Sequence, residues 1–154
     1  MNNDMLKQAK LKALRLLSDM DRTEAQLRTK LKQKDFSEEV IEQALEYVKS
    51  FGYINDANYA ERFVANRQSS KSRREIYASL CEKGVSREIA ELALENGYAQ
   101  YDEVETIRAI ATKRHYSETE RTDAEKKKLF DYLVRRGFRY EDIRQVIQVS
   151  SWNA

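Results

Sequence analysis

LRTKLKQKDFSEEVIEQAL, residues 27–45, returns 49 residues later as IYASLCEKGVSREIAELAL, residues 76–94, with seven of nineteen positions identical. After a further 53 residues LFDYLVRRGFRYEDIRQVI, residues 129–147, matches the first copy at six of nineteen. The shared pattern is an apolar pair four apart, a basic residue, usually a glycine, an aliphatic or aromatic residue, and a second apolar-periodic run. That is helix, stop, helix, repeated three times. In the first copy Leu27 and Leu31 share a helical face and the chain breaks around Asp35. Phe36 fills the corner, and Val40, Ile41, Ala44, Leu45 and Val48 form the next stripe.

Working outward, each pair is preceded by another segment of helical period: Leu6, Ala9, Ala13, Leu17 and Met20; Tyr59, Ala60, Phe63 and Val64; Val104, Ile107 and Ala111. Each unit therefore has three helices, and units at 1–52, 53–98 and 99–154 account for the chain. Thr23 and Ser72 fit as N-caps of the middle helices, with Asp123 the counterpart in the third unit. The expected fold is all-α, an elongated, curved tandem array of three three-helix repeats.

The composition agrees. Among 154 residues there is no proline, four glycines, 35% charged and 41% hydrophobic residues, which disfavours turn-rich sheets and supplies enough apolar surface for a core. One cysteine, Cys81, forms no internal disulfide, and the opening MNNDMLKQAK has no apolar signal core, so a cytoplasmic location is expected. No run approaches the roughly 20 apolar residues of a membrane span.

Nothing in the spacing of side chains suggests catalysis. The single histidine, single cysteine and scattered acids form no metal-ligand or nucleophile-base pattern, so neither enzyme activity nor a cofactor is expected. Gly52, Gly84, Gly97 and Gly137 are isolated, each after a periodic stretch, and read as left-handed helix stops. His115, eleven residues after Val104, falls about three helical turns on and reads as the edge of an apolar face. Cys81 reads as semi-buried packing.

The net charge of +2 conceals segregation. Residues 22–34 hold five bases and one acid, residues 35–48 five acids and no base. The second unit repeats this more weakly, with Lys71, Arg73, Arg74 and Lys83 ahead of a helix bearing Glu88, Glu91 and Glu95. In the third only the basic half survives, in Arg121, Lys126, Lys127, Lys128, Arg135 and Arg136. If equivalent helices take equivalent places, the basic middle helices line one side of the array, a stripe suited to a polyanion or an acidic filament. The plainer reading is solvated faces tied by local ion pairs.

Between the first two units lies FGYINDANYAERFVANRQ, residues 51–68, where Gly52 ends one helix, Asn55 or Asp56 caps the next, and Tyr59, Phe63 and Arg67 recur every fourth residue. GYINDANYA, then a basic middle helix, LCEKGVSREIAELAL and YLVRRGFRYEDI, in this order over roughly residues 5–150, resemble the RecX family of bacterial recombinase regulators. Two departures are modest: Asp35 stands where the first unit usually has glycine, and Ser69 and Ser70 stand where glycine often precedes the second basic helix.

The resemblance implies a non-enzymatic array that binds the RecA recombinase and its filament on single-stranded DNA. It further implies that such a protein limits filament extension, ATPase and strand exchange, acting as a monomer without membrane association. Direct binding to single- or double-stranded DNA is compatible with it. Candidate contacts, chosen for charge and place, are Arg28, Lys32, Arg62, Arg67, Lys71, Arg73, Arg74, Lys127, Arg135 and Arg136. Tyr53, Tyr59 and Phe63 invite base stacking, but their spacing favours core packing. The alternative function is a non-specific single-stranded nucleic-acid-binding helical repeat protein.

Overall fold

A computed structural model describes residues 2–114 and 122–148; His115 and Arg121 lie outside the described residues. Nine helices occur among the described residues and no strand. The first unit comprises α1 (Asn2–Asp19), α2 (Glu24–Lys32) and α3 (Glu38–Ser50). The second comprises α4 (Asp56–Arg67), α5 (Arg73–Glu82) and α6 (Arg87–Gly97), and the third α7 (Glu103–Lys113), α8 (Asp123–Arg135) and α9 (Tyr140–Arg144).

Short polar side chains set the starts of the helices by accepting from amides that the first turn leaves unpaired. Thr23 accepts from the Gln26 amide and Ser72 from the Glu75 amide, and the Gln26 and Glu75 side chains accept in return from the cap amides, closing two capping boxes. Asn55 caps α4. In the third unit the cap is Thr122, one residue before the Asp123 expected from sequence. Asp123 is the first helical residue, where a carboxylate suits the positive end of the helix dipole.

The stops after the middle helices are left-handed, at Asp35 (φ 63°), Gly84 (φ 88°) and Gly137 (φ 96°), and Gly52 (φ 73°) ends α3 in the same way. Gly97 does not: it ends α6 without a positive φ. A Cβ there would stand 2.5 Å from Val64 Cγ1, so glycine serves the close approach of α6 to α4 instead of a reversal.

Among the described residues each unit has its own buried cluster, and the first also takes in Ile54 from the start of the second unit. Ala9, Ala13 and Leu16 of α1 meet Leu27 and Leu31 of α2 and Ile41, Leu45 and Val48 of α3, with Phe36 against the corner. Ala60 and Val64 meet Ile76, Leu80, Ala90 and Leu94 in the second unit. Ile107 and Ala111 meet Leu129, Phe130, Leu133 and Ile143 in the third. The accessible surface is 10206 Å², against about 8,100 Å² for a compact globule of this mass. Three small cores in tandem bury less surface than one large core would.

Three positions expected to pack lie outside, and one of them, Cys81, is exposed on α5. Met20, placed on the α1 stripe by its spacing, is 58% exposed because α1 ends at Asp19 and Leu16 turns inward instead. Tyr53 is 55% exposed, since the corner after Gly52 points it outward and buries Ile54 in its place. Tyr59 and Phe63 pack, half-buried, against the second core.

Candidate interaction surface

Neighbouring units meet through polar joints, and the two joints are built alike. In the first, the Thr23 hydroxyl donates to the Lys83 carbonyl (2.7 Å), the Glu24 amide donates to Asp56 Oδ1 (3.0 Å), and Ala25 packs on Gly84. In the second, the Ser72 hydroxyl donates to the Arg136 carbonyl (2.5 Å), the Arg73 amide donates to Glu103 Oε2 (3.1 Å), and Arg74 packs on Gly137. A Cβ on Gly84 would fall 2.2 Å from that of Ala25, and one on Gly137 2.9 Å from that of Arg74. Both corners thus need glycine twice over, for the left-handed backbone and for the neighbour.

This geometry has a direction. Lys83 and Arg136 are the C-caps of α5 and α8, while Thr23 and Ser72 are the N-caps of α2 and α5. The middle helices are therefore chained end to end, α8 into α5 into α2, with the carbonyl end of one against the amide end of the next, the favourable order for their dipoles. Asp35 sits at the outer end of this row, exposed, where no corresponding joint is made among the described residues.

Charge reinforces the second joint. Arg136 pairs with Glu75 (Nη2–Oε1 2.9 Å, Nε–Oε2 3.2 Å) and donates to the Ser70 carbonyl at 2.8 Å. Burial opposes ionisation of Glu75, but the hydrogen bonds from Arg136 and the Ser72 amide hold its carboxyl below its ordinary value. The other two joint carboxylates behave oppositely. Burial pushes Asp56 and Glu103 above the usual range despite the amides of Glu24 and Arg73. Close by, the buried Tyr98 hydroxyl lacks a hydrogen-bond partner and burial raises its pKa.

The candidate cations distribute unevenly over this frame. Arg28 of α2 is held by Glu42 (2.7 Å) and Glu24 (3.4 Å), and Lys32 reaches Glu38 only at 3.9 Å. Lys71, Arg73 and Arg74 cluster, exposed, at the start of α5, with the Arg73 guanidinium 5.2 Å from the Tyr98 ring centroid. On α8 Lys127 pairs with Asp131 (2.9 Å), Arg136 is committed to the joint, and Arg135 is exposed. Among the described residues Lys71, Arg74 and Arg135 form no ion pair. Arg62 and Arg67 stand apart on α4, Arg62 bonded to Asp21 (3.0 Å) and Arg67 over the Phe63 ring (4.7 Å).

One group escaped the sequence reading, and one residue that it counted among the bases of the second unit, Lys83, has further contacts. Lys7, Lys10, Lys12 and Arg15 make α1 basic between Asp4 and Asp19, a signal visible had the charge sorting begun before residue 22. Lys83, besides capping α5, lies 5.6 Å from the Phe63 ring centroid, the ring that Arg67 also approaches at 4.7 Å. No group of three or more His, Cys, Asp or Glu among the described residues could hold a metal ion, and no described helix is long and apolar enough to cross a membrane.

Three family models match in succession: RecX, first three-helix domain, over residues 9–47; second, over 55–94; and third, over 101–147. A regulatory protein RecX from Caldanaerobacter subterraneus subsp. tengcongensis is 44% identical over 145 residues, covering 94% of this chain and 71% of the relative. One from Trichlorobacter lovleyi is 34% identical over 142 residues, covering 90% and 92%. The crystal structure of RecX from Lactobacillus salivarius superposes with a TM-score of 0.79 at 29% identity, covering 93% of this chain and 94% of that one.

Proposed function

This chain belongs to the RecX regulatory protein family, and from that premise we propose that it binds the RecA recombinase and its filament on single-stranded DNA and restrains filament extension, ATPase and strand exchange. The observation that carries the reading is the end-to-end row of middle helices. Two equivalent joints set basic helices at regular intervals, so one molecule can meet successive protomers of a helical filament, each weak contact raising the effective concentration of the next. Lys71, Arg74 and Arg135 are exposed and form no ion pair among the described residues, and they are the contacts assigned first. Arg28, Lys127 and Arg136 act mainly within the chain, through the pairs that hold them. The units at 1–52, 53–98 and 99–154 are read as the modules that engage, without catalysis, in the cytoplasm.

The test is the DNA-dependent ATPase of the cognate recombinase, measured with increasing amounts of this protein and with filament length followed in parallel. Inhibition at amounts well below the recombinase concentration is expected. An unchanged ATPase and unchanged filaments at several-fold excess over filament ends would remove the reading.

A further inference from the structure

The corner between the first two units presents aromatic rings to solvent in an ordered stack. Phe51 and Tyr53 are 57% and 55% exposed, yet their rings lie 5.6 Å apart at 20°, and Tyr47 meets Phe51 edge-on at 5.1 Å. The backbone beneath is held: the Gly52 amide donates to the Lys49 carbonyl (2.9 Å), the Tyr53 amide to the Val48 carbonyl (3.0 Å), and Ile54 is buried. A Cβ on Gly52 would meet no atom within 4 Å beyond those of its neighbours Phe51 and Tyr53, so no other part of the chain covers the turn at that point. The core does not explain two large rings fixed in water side by side.

Charge selects the partner. The Lys10 ammonium lies 4.4 Å from the Tyr47 ring centroid, and Lys7 shares its face of α1 three residues earlier. Among the described residues neither is in an ion pair, whereas Lys49 is already held by Glu24 at 3.1 Å. Aromatic anchors of protein interfaces insert into pockets. Here two rings are already stacked, and what they offer is a flat face with unneutralised cations alongside, the combination that takes a nucleobase and its phosphate.

We propose that the Phe51–Gly52–Tyr53 corner, with Lys10 and Lys7, is a base-stacking contact for single-stranded nucleic acid. It acts on the isolated protein and stands apart from the recombinase reading, which the ATPase decides separately. The experiment is fluorescence anisotropy of the full chain with labelled oligothymidylate and with an abasic strand of equal length, each at two salt concentrations. Wild type is expected to prefer the oligothymidylate. Phe51→Ala and Tyr53→Ala, both exposed and with helicity checked by circular dichroism, are expected to weaken it by at least about five-fold each, the low end for a lost base–aromatic stack, leaving abasic binding unchanged. Lys10→Gln is expected to weaken both strands and flatten the salt dependence. Equal wild-type affinity for the two strands, or ring variants that bind oligothymidylate like wild type, would overturn the proposal.

Discussion

The hydroxyl of Thr23 donates to the carbonyl of Lys83, sixty residues away, while accepting from the Gln26 amide three residues on, so one fully buried side chain both starts a helix and fastens two units. Ser72 does the same with Arg136 and the Glu75 amide. Removing either hydroxyl, in Thr23→Val or Ser72→Ala, forfeits a cap of about 1 kcal/mol and leaves a carbonyl without its donor. The expected loss is about 2–3 kcal/mol in urea unfolding, with Thr23→Ser close to wild type.

The four left-handed corners separate backbone strain from crowding. Gly84→Ala meets both, and a loss of about 2 kcal/mol or more is expected, only partly recovered by adding Ala25→Gly. Asp35→Gly relieves the same backbone strain where no corresponding joint is made among the described residues, and should raise stability by up to about 1 kcal/mol. Thermal melts of the three variants measure the difference.

The joint carboxylates make opposed contributions to pH dependence. Glu75 has a lowered pKa in the fold, so the stability it contributes is present above its unfolded pKa and is lost as pH falls through the folded one. Asp56 and Glu103 are raised, so their contribution is full below their unfolded values and is lost as pH rises through the folded ones. Glu75→Gln should therefore flatten the loss of stability in acid, whereas Asp56→Asn with Glu103→Gln should steepen it. Urea midpoints followed from neutral pH down through the carboxylate range check both slopes.

Lys71→Glu and Arg135→Glu change exposed residues that are in no ion pair, and their effect on folding should stay within about 0.5 kcal/mol. Inhibition of the recombinase ATPase should nevertheless fall several-fold. Lys127→Glu, which breaks only a local pair with Asp131, should reduce it less. Titrating each variant against a fixed amount of filament gives the ranking.

The unit plan was legible in sequence because apolar period and capping chemistry are local, and Leu27, Leu31, Ile76 and Leu80 sit in the cores that their spacing implies. What escaped depends on distance through space. Gly97 looks like any other helix-ending glycine until Val64 is seen above it. Tyr53 continues an apolar pattern, yet the turn at Gly52 faces it outward. Arg136 reads as one more cation of a basic run, and only the docking of the third unit on the second shows it spent on Glu75. Thr122 and Asp123 are both good caps, and the choice rests on one residue of helical phase.

Because each joint locks a helix end to a helix end, the length of α5 sets the distance between the two joints. At 10 residues it spans about 15 Å. The molecule is in this respect a graduated rule whose marks are its basic helices. An insertion within α5 would slide one set of charges out of phase with any partner that repeats at its own pitch, and unless it added whole turns it would also rotate Ile76 or Leu80 out of the second core.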